Sequence, residues 1–226
     1  GRYTWNDSVV WQHSDEIFHH DITMTLNSTF LIFGREVVEY NGRLVEFDTI
    51  VEFDLDGNEV SRWSSYENLD ELHQYHGMLE LDKPATEALP PNHEMNQSVW
   101  GGQYDYYHMN TIEIVPPNER EGFHPAFTPG NWILSMRHGH LVFILDKDTQ
   151  EVLWYMGPAY AEGPHAGQML TNGNVLVFDN GRYRNWSRVI EIDPVSMDIV
   201  WEYKDPENFY TTTRGWAQRL PNGNTL

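Results

Sequence analysis

Three stretches of the chain repeat one pattern. IVEFDLDGNEVSRW ends at Trp63, VFILDKDTQEVLW at Trp154 and VIEIDPVSMDIVW at Trp201. Each is an alternating strand, an Asp, a polar turn and a second alternating strand closed by Trp. The Asp precedes the Trp by nine residues in the first copy (Asp54) and by eight in the others (Asp146, Asp193). DSVVW at Trp11 resembles the tail of an earlier copy. Apolar residues at every second position, bounded by turn formers, place side chains on alternating faces of a strand. Asn41-Gly42 inside VVEYNGRLVEF supplies the positive φ angles of a type I′ hairpin turn. The spacing from Trp11 to Trp63, and from Trp154 to Trp201, is that of a four-stranded repeat. The expected fold is therefore all-β: a β-propeller of four-stranded antiparallel blades, with about three full blades and partial ones in this chain.

The gap from Trp63 to Trp154 holds one copy plus an insertion, at about residues 64–107. ENLDELHQYHGMLELD within it can form one helix, and the Pro-rich stretch after it reads as loop. The insertion is expected to be a cap or an interface, and residues 1–226 to be part of one propeller domain. WAQRLPNGNTL at the end begins another inner strand. The expectation is that further blades lie beyond Leu226 or that something else completes the sheet, and that the natural N-terminus is absent or processed. The open strand and the insertion are both candidate surfaces for a homo-oligomer.

Composition narrows the partners. The 226 residues include 34 Asp and Glu against 14 Lys and Arg, a net charge of −20. Nucleic acid is an unsuitable partner, because its phosphates need clustered cations. Any anion site must be locally positive. No apolar run is long enough to span a membrane as a helix. Cysteine is absent, which excludes thiolate catalysis and Cys metal sites. Asn6, Asn27, Asn96 and Asn185 each begin an N-x-S/T acceptor pattern, which points toward an extracellular or periplasmic, glycosylated protein.

Histidines recur at the start of the hairpins. His20 lies seven residues before Asn27, and His165 seven before Asn172. His108 stands at the comparable place before NTIEIV. First strands of successive blades line a central channel, so three histidines at their leading ends are expected to face one point at its mouth. The next repeat has Gly215-Trp216 there, so the repeat itself does not require His. A histidine–metal site is one alternative, with His138, His140, His73 and His76 as further candidate ligands. A non-catalytic secreted propeller for binding or surface assembly is another.

In order along the chain, HHD, YYHMN, ILSMR, PHAGQMLTNGNVLVFDNG with SRVIEID, and QRLPNGNTL resemble the bacterial arylsulfate sulfotransferase family. The resemblance implies a six-bladed propeller outside the cytoplasm. It implies an enzyme that moves a sulfuryl group from an aryl sulfate to a phenol, without the nucleotide donor PAPS, any other cofactor or a metal. His165 of PHAGQ then matches the nucleophile, which becomes a sulfo-histidine. His108 and Asn110 of HMN match a sulfate-binding pair, and Arg137 of SMR an anion clamp. His20 of HHD matches the first active-site histidine, with His19 as the alternative. Tyr107 is a candidate platform for the aryl ring. The residue types suit the chemistry: imidazole is a nucleophile near neutral pH and a good leaving group, and the planar guanidinium fork matches oxyanions.

Overall fold

The computed structural model describes residues 1–14, 16–75 and 104–226. His76, Asn96 and most of the expected insertion lie outside them. The chain divides into two compact units. One comprises residues 1–72 with the described part of 78–108, the other the described part of 73–77 with 109–226.

The first unit opens with a short ribbon of β1 (Arg2–Tyr3) and β2 (Val9–Trp11), followed by β3 (His19–Met24), β4 (Phe30–Tyr40), β5 (Arg43–Phe53) and β6 (Glu59–Ser64) in an antiparallel meander. The two eleven-residue strands join through Asn41 and Gly42 at φ 50° and 73°, the doubly positive pair that the I′ turn requires. Leu31 and Phe33 on β4 and Val45, Phe47 and Val51 on β5 are fully buried. The expected helix appears as the four-residue α1 (Leu69–Leu72), which buries Leu69 and Leu72. β7 (Tyr104–Asp105) pairs in parallel with β5 at Val45 and Glu46. The described end of the insertion thus belongs to the first sheet.

The second unit holds two further meanders. β8 (Met109–Ile114), β9 (Trp132–Met136), β10 (Leu141–Leu145) and β11 (Val152–Met156) form one; β12 (His165–Met169), β13 (Val175–Asp179), β14 (Arg188–Ile192) and β15 (Ile199–Lys204) form the other. β9, β10 and β13 are buried along their whole length, as expected of strands covered on both faces. Ile133, Val142 and Ile144 of the first sheet share one apolar cluster with Val175, Val177, Ile190 and Ile192 of the second. Two backbone-to-side-chain bonds bridge the sheets: Ala166 N–H to Thr111 Oγ1 at 2.9 Å and Gly167 N–H to Ser135 Oγ at 2.9 Å.

The repeated Asp is a turn device. Oδ1 of Asp54, Asp146 and Asp193 accepts backbone N–H groups from within its own turn, such as Asn58, Thr149 and Val195, an Asx-type closure. Each third-to-fourth strand ladder also shifts register at its last rung, directly before that Asp. The Trp residues correct one expectation. Trp154 faces Ile144 and Trp201 faces Glu191, both two residues before the Asp. At that rung the first sheet has Ser61, opposite Glu52, and Trp63 lies two residues further on. The turn of the first copy is one residue shorter, with Asp54 N–H bonded to the Asn58 carbonyl where Asp146 and Asp193 reach Glu151 and Asp198, and Trp63 stands two residues further along the same face, where it is 2% exposed.

Candidate active site

The leading end of each first strand is irregular. The β3–β4 ladder shifts register between His19 and Ile22, the β8–β9 ladder between Met109 and Thr111, and the β12–β13 ladder between His165 and Gln168. A left-handed residue accompanies each: His20 at φ 53°, His108 at 54° and Ala166 at 52°. A bulge with a positive-φ residue re-aims side chains at a strand end, and such backbone is concentrated at functional sites.

These bulges alter the equivalence of the histidines. Thr25, Val115 and Leu170 each donate N–H across the following turn. Stepping back equally from them reaches His20, Asn110 and His165. Asn110, rather than His108, therefore holds the repeat position in the middle copy, and His108 precedes it on the left-handed backbone. Across the ladder, Phe33 and Phe178 are counterparts. They face His19 and His165, so beyond the bulge His19 takes the rung that counting gave to His20.

In the first unit, the rings of His20 and His108 lie 4.7 Å apart, edge to face. His20 Nδ1 is 2.7 Å from His19 Nδ1. His19 Nε2 lies 3.0 Å from the Gly34 carbonyl and 3.5 Å from Asp48 Oδ1. His108 Nδ1 bonds the carboxylate of Asp105, which is 7% exposed. Burial holds His19 below the ordinary histidine pKa, because its imidazolium loses water that the Gly34 bond only partly replaces. Tyr107 corrects the stacking expectation. It is fully buried against Tyr106, with ring centroids 4.5 Å apart, and near Phe47. Its ring is a core side chain, because the aromatic cluster around it occupies the space a ligand needs.

In the second unit, the expected residues gather around the dipeptide Gly163-Pro164. His165 Nδ1 lies 3.1 Å from the Gly163 carbonyl. Asn110 Nδ2 donates to the Pro164 carbonyl at 3.0 Å, and Asn110 Oδ1 accepts from Thr111 Oγ1 at 2.8 Å. Gly163 has φ 65°, and a Cβ built there would lie 3.8 Å from Cγ of Arg137. Arg137 donates to His138 Nε2 at 2.9 Å and to the Thr212 carbonyl at 3.4 Å. Gly163 N–H donates to His140 Nδ1 at 2.8 Å. Asn110, Arg137, His138, His140 and His165 are all buried.

The tautomers follow from these partners. A carbonyl only accepts, so His165 carries its proton on Nδ1 and its lone pair on Nε2. His138 accepts from a guanidinium, and His140 from an amide. Both are therefore held neutral, and a permanent cation stands among them. That arrangement suits an anion and opposes a metal ion. His73 lies in a turn. Of the acceptor asparagines, Asn6, Asn27 and Asn185 are exposed.

The motif VFDNG…SR has a structural explanation. Asp179 is completely buried. Its Oδ2 takes Arg184 at 2.7 Å and Arg188 at 2.8 Å, and its Oδ1 accepts the N–H of Glu162 at 2.8 Å. Asn180 holds the carbonyls of Thr211 and Arg214, and Ser187 Oγ donates to the Asn180 carbonyl. The motif ties the strand behind the site to the loop that leads into His165. Sequence reading missed Asp105, named His19 only as the alternative to His20, and named His138 only as a candidate metal ligand rather than as the partner of Arg137. Asp105 was visible only as the carboxylate three residues before His108.

Strands arranged in repeated four-stranded sheets, with a buried guanidinium beside tautomer-fixed histidines, define an all-β protein suited to handling an oxyanion. The chain belongs to the arylsulfotransferase (ASST) family, whose model matches residues 4–226. No curated protein matches it. Among solved structures it is similar to a protein of unknown function from Bacteroides caccae, at 12% identity and a TM-score of 0.45, over 97% of this chain and 74% of that one. No helix among the described residues is long and apolar enough to cross a membrane.

Proposed function

We propose that the chain is an aryl sulfotransferase that carries the sulfuryl group on His165. The observation that carries this reading is the setting of His165, whose Nδ1 is tied to the Gly163 carbonyl on a loop bordered by Arg137 and Asn110. In the first step Nε2 attacks sulfur, the bond from sulfur to the aryl oxygen breaks, and the phenolate takes a proton from an imidazolium, which is left as neutral imidazole. The Nδ1–H bond to the carbonyl persists and stabilises the cationic sulfo-imidazole. In the second step an acceptor phenol attacks sulfur, the N–S bond breaks, and the phenol proton passes to a base. Charge stabilisation and positioning do most of the work in such a transfer. His20 and His108 are the proton-moving candidates, and Arg137 and Asn110 hold the sulfate oxygens.

The sheets act as blades of a six-bladed propeller, a reading supported by the core shared between the two sheets of the second unit. Three exposed acceptor asparagines support a location outside the cytoplasm. The test is trapping. With a sulfur-labelled aryl sulfate and no acceptor, the wild type retains acid-labile label, and His165→Ala retains none. Label on His165→Ala, or none on the wild type, refutes the nucleophile.

A further inference from the structure

The first unit holds two histidines, His20 and His108, that are each anchored at Nδ1. A backbone carbonyl cannot donate, so His19 Nε2 donates its proton to Gly34 O, 3.0 Å away. That carbonyl sits in the middle of the β4–β5 ladder, where Gly34 pairs with Thr49. With its proton on Nε2, neutral His19 has a lone pair on Nδ1. His20 Nδ1 stands 2.7 Å away, so the proton between them belongs to His20. His108 reaches the same state by another route, because its Nδ1 bonds the buried Asp105 carboxylate, which accepts only.

We propose that His19 and Asp105 are positioning residues that hold His20 and His108 as Nδ1–H tautomers, so that any proton either ring exchanges passes through Nε2. The bonds at Nδ1 survive that exchange, since imidazolium still donates there. Each ring can therefore gain and lose a proton on Nε2 without turning. The 4.7 Å edge-to-face contact brings the two anchored rings together. His19 suits its role only while neutral, and its burial favours that form. As a catalytic statement the proposal rests on the aryl-sulfotransferase reading above; the tautomers themselves do not.

Two measurements test it. Nitrogen-15 histidine spectra of the full chain at pH 7.5, assigned with His20→Gln and His108→Gln, should show a protonated Nδ1 and a pyridine-type Nε2 for both residues. A proton on Nε2 of either neutral ring overturns the proposal, whether or not the protein transfers sulfuryl groups. In turnover with a chromogenic aryl sulfate and added phenol, Asp105→Asn should lower kcat on the order of 100- to 10,000-fold, as when the acid of a Ser-His-Asp triad becomes an amide. KM should move less than about threefold, since the amide alters only when the proton moves. Combining Asp105→Asn with His108→Gln should give no loss beyond that of His108→Gln. Multiplying losses, or kcat within about threefold of wild type for Asp105→Asn, would show that Asp105 does not act through His108. An inactive wild type with the expected spectra would sink the sulfotransferase reading and leave the tautomer assignment standing.

Discussion

Replacing Asp179 by alanine tests whether the DNG…SR element is a clamp for the site. The carboxylate is completely buried and faces two guanidiniums, those of Arg184 and Arg188. Removing one partner of a buried pair costs about 3–5 kcal/mol, because the remaining charge is uncompensated. The lower end applies here. Arg188 keeps Glu202 at 2.8 Å and the Tyr160 carbonyl at 2.7 Å, and Arg184 keeps its stack on Trp186 at 4.5 Å. The Glu162 N–H then loses its acceptor, worth about 1–3 kcal/mol when buried. Gly181 N–H retains the Glu162 carbonyl at 3.0 Å and adds little. A loss of about 4 kcal/mol lowers Tm by about 8–16 °C for a chain of this size. Scanning calorimetry of Asp179→Ala beside Asp179→Asn reads it, and the amide, which keeps an acceptor oxygen, should lose less. A fall of under about 3 °C for Asp179→Ala would refute the clamp.

Gly167→Ala should destabilise by about 1–3 kcal/mol, read by urea unfolding, since its Cβ would meet Ser135 Oγ at 2.7 Å and Val142 Cγ1 at 2.8 Å. Arg137→Lys should lose about 100-fold or more in kcat/KM for an aryl sulfate, because an ammonium cannot bond His138 and Thr212 while presenting a planar face to the anion. The lowered pKa of His19 makes stability pH-dependent in a stated sense. Near its ordinary 6.5 the unfolded chain binds a proton that the native protein refuses, so this contribution falls as pH drops through 6.5 toward the native pKa. Thermal melts from pH 7.5 to 5.5 should therefore show a shallower loss in His19→Phe than in wild type, and parallel curves would contradict it.

Much of the architecture was legible because β-sheet grammar is local. Asn41-Gly42, the three Asp turns and the alternation on β5 each settle their conformation within a few residues. The histidine positions were less legible. A bulge inserts a residue without changing the local composition, so counting from Asn27 and Asn172 equated His20 with His165, while the ladder sets His19 opposite Phe33. The same limit hid Asn110 as the repeat-position residue of the middle sheet. Tyr107 read as a candidate platform because burial of an aromatic depends on Phe47 and Tyr106, one of them distant in sequence. Asp105 went unassigned, and His138 was named only as a metal ligand, because hydrogen-bond partnership is fixed by tertiary placement.

His20 and His108 both hold φ angles near +54°. A side chain there costs about 1–2 kcal/mol that glycine does not incur. Selection for folding alone thus pulls these two codons toward glycine or asparagine, and under the proposed function selection for chemistry opposes that pull. A gene copy released from the reaction would gain stability by losing either residue. Positions 20 and 108 are therefore where an ancestral reconstruction should look first for the moment a lineage abandoned catalysis, ahead of any decay in the sheets themselves.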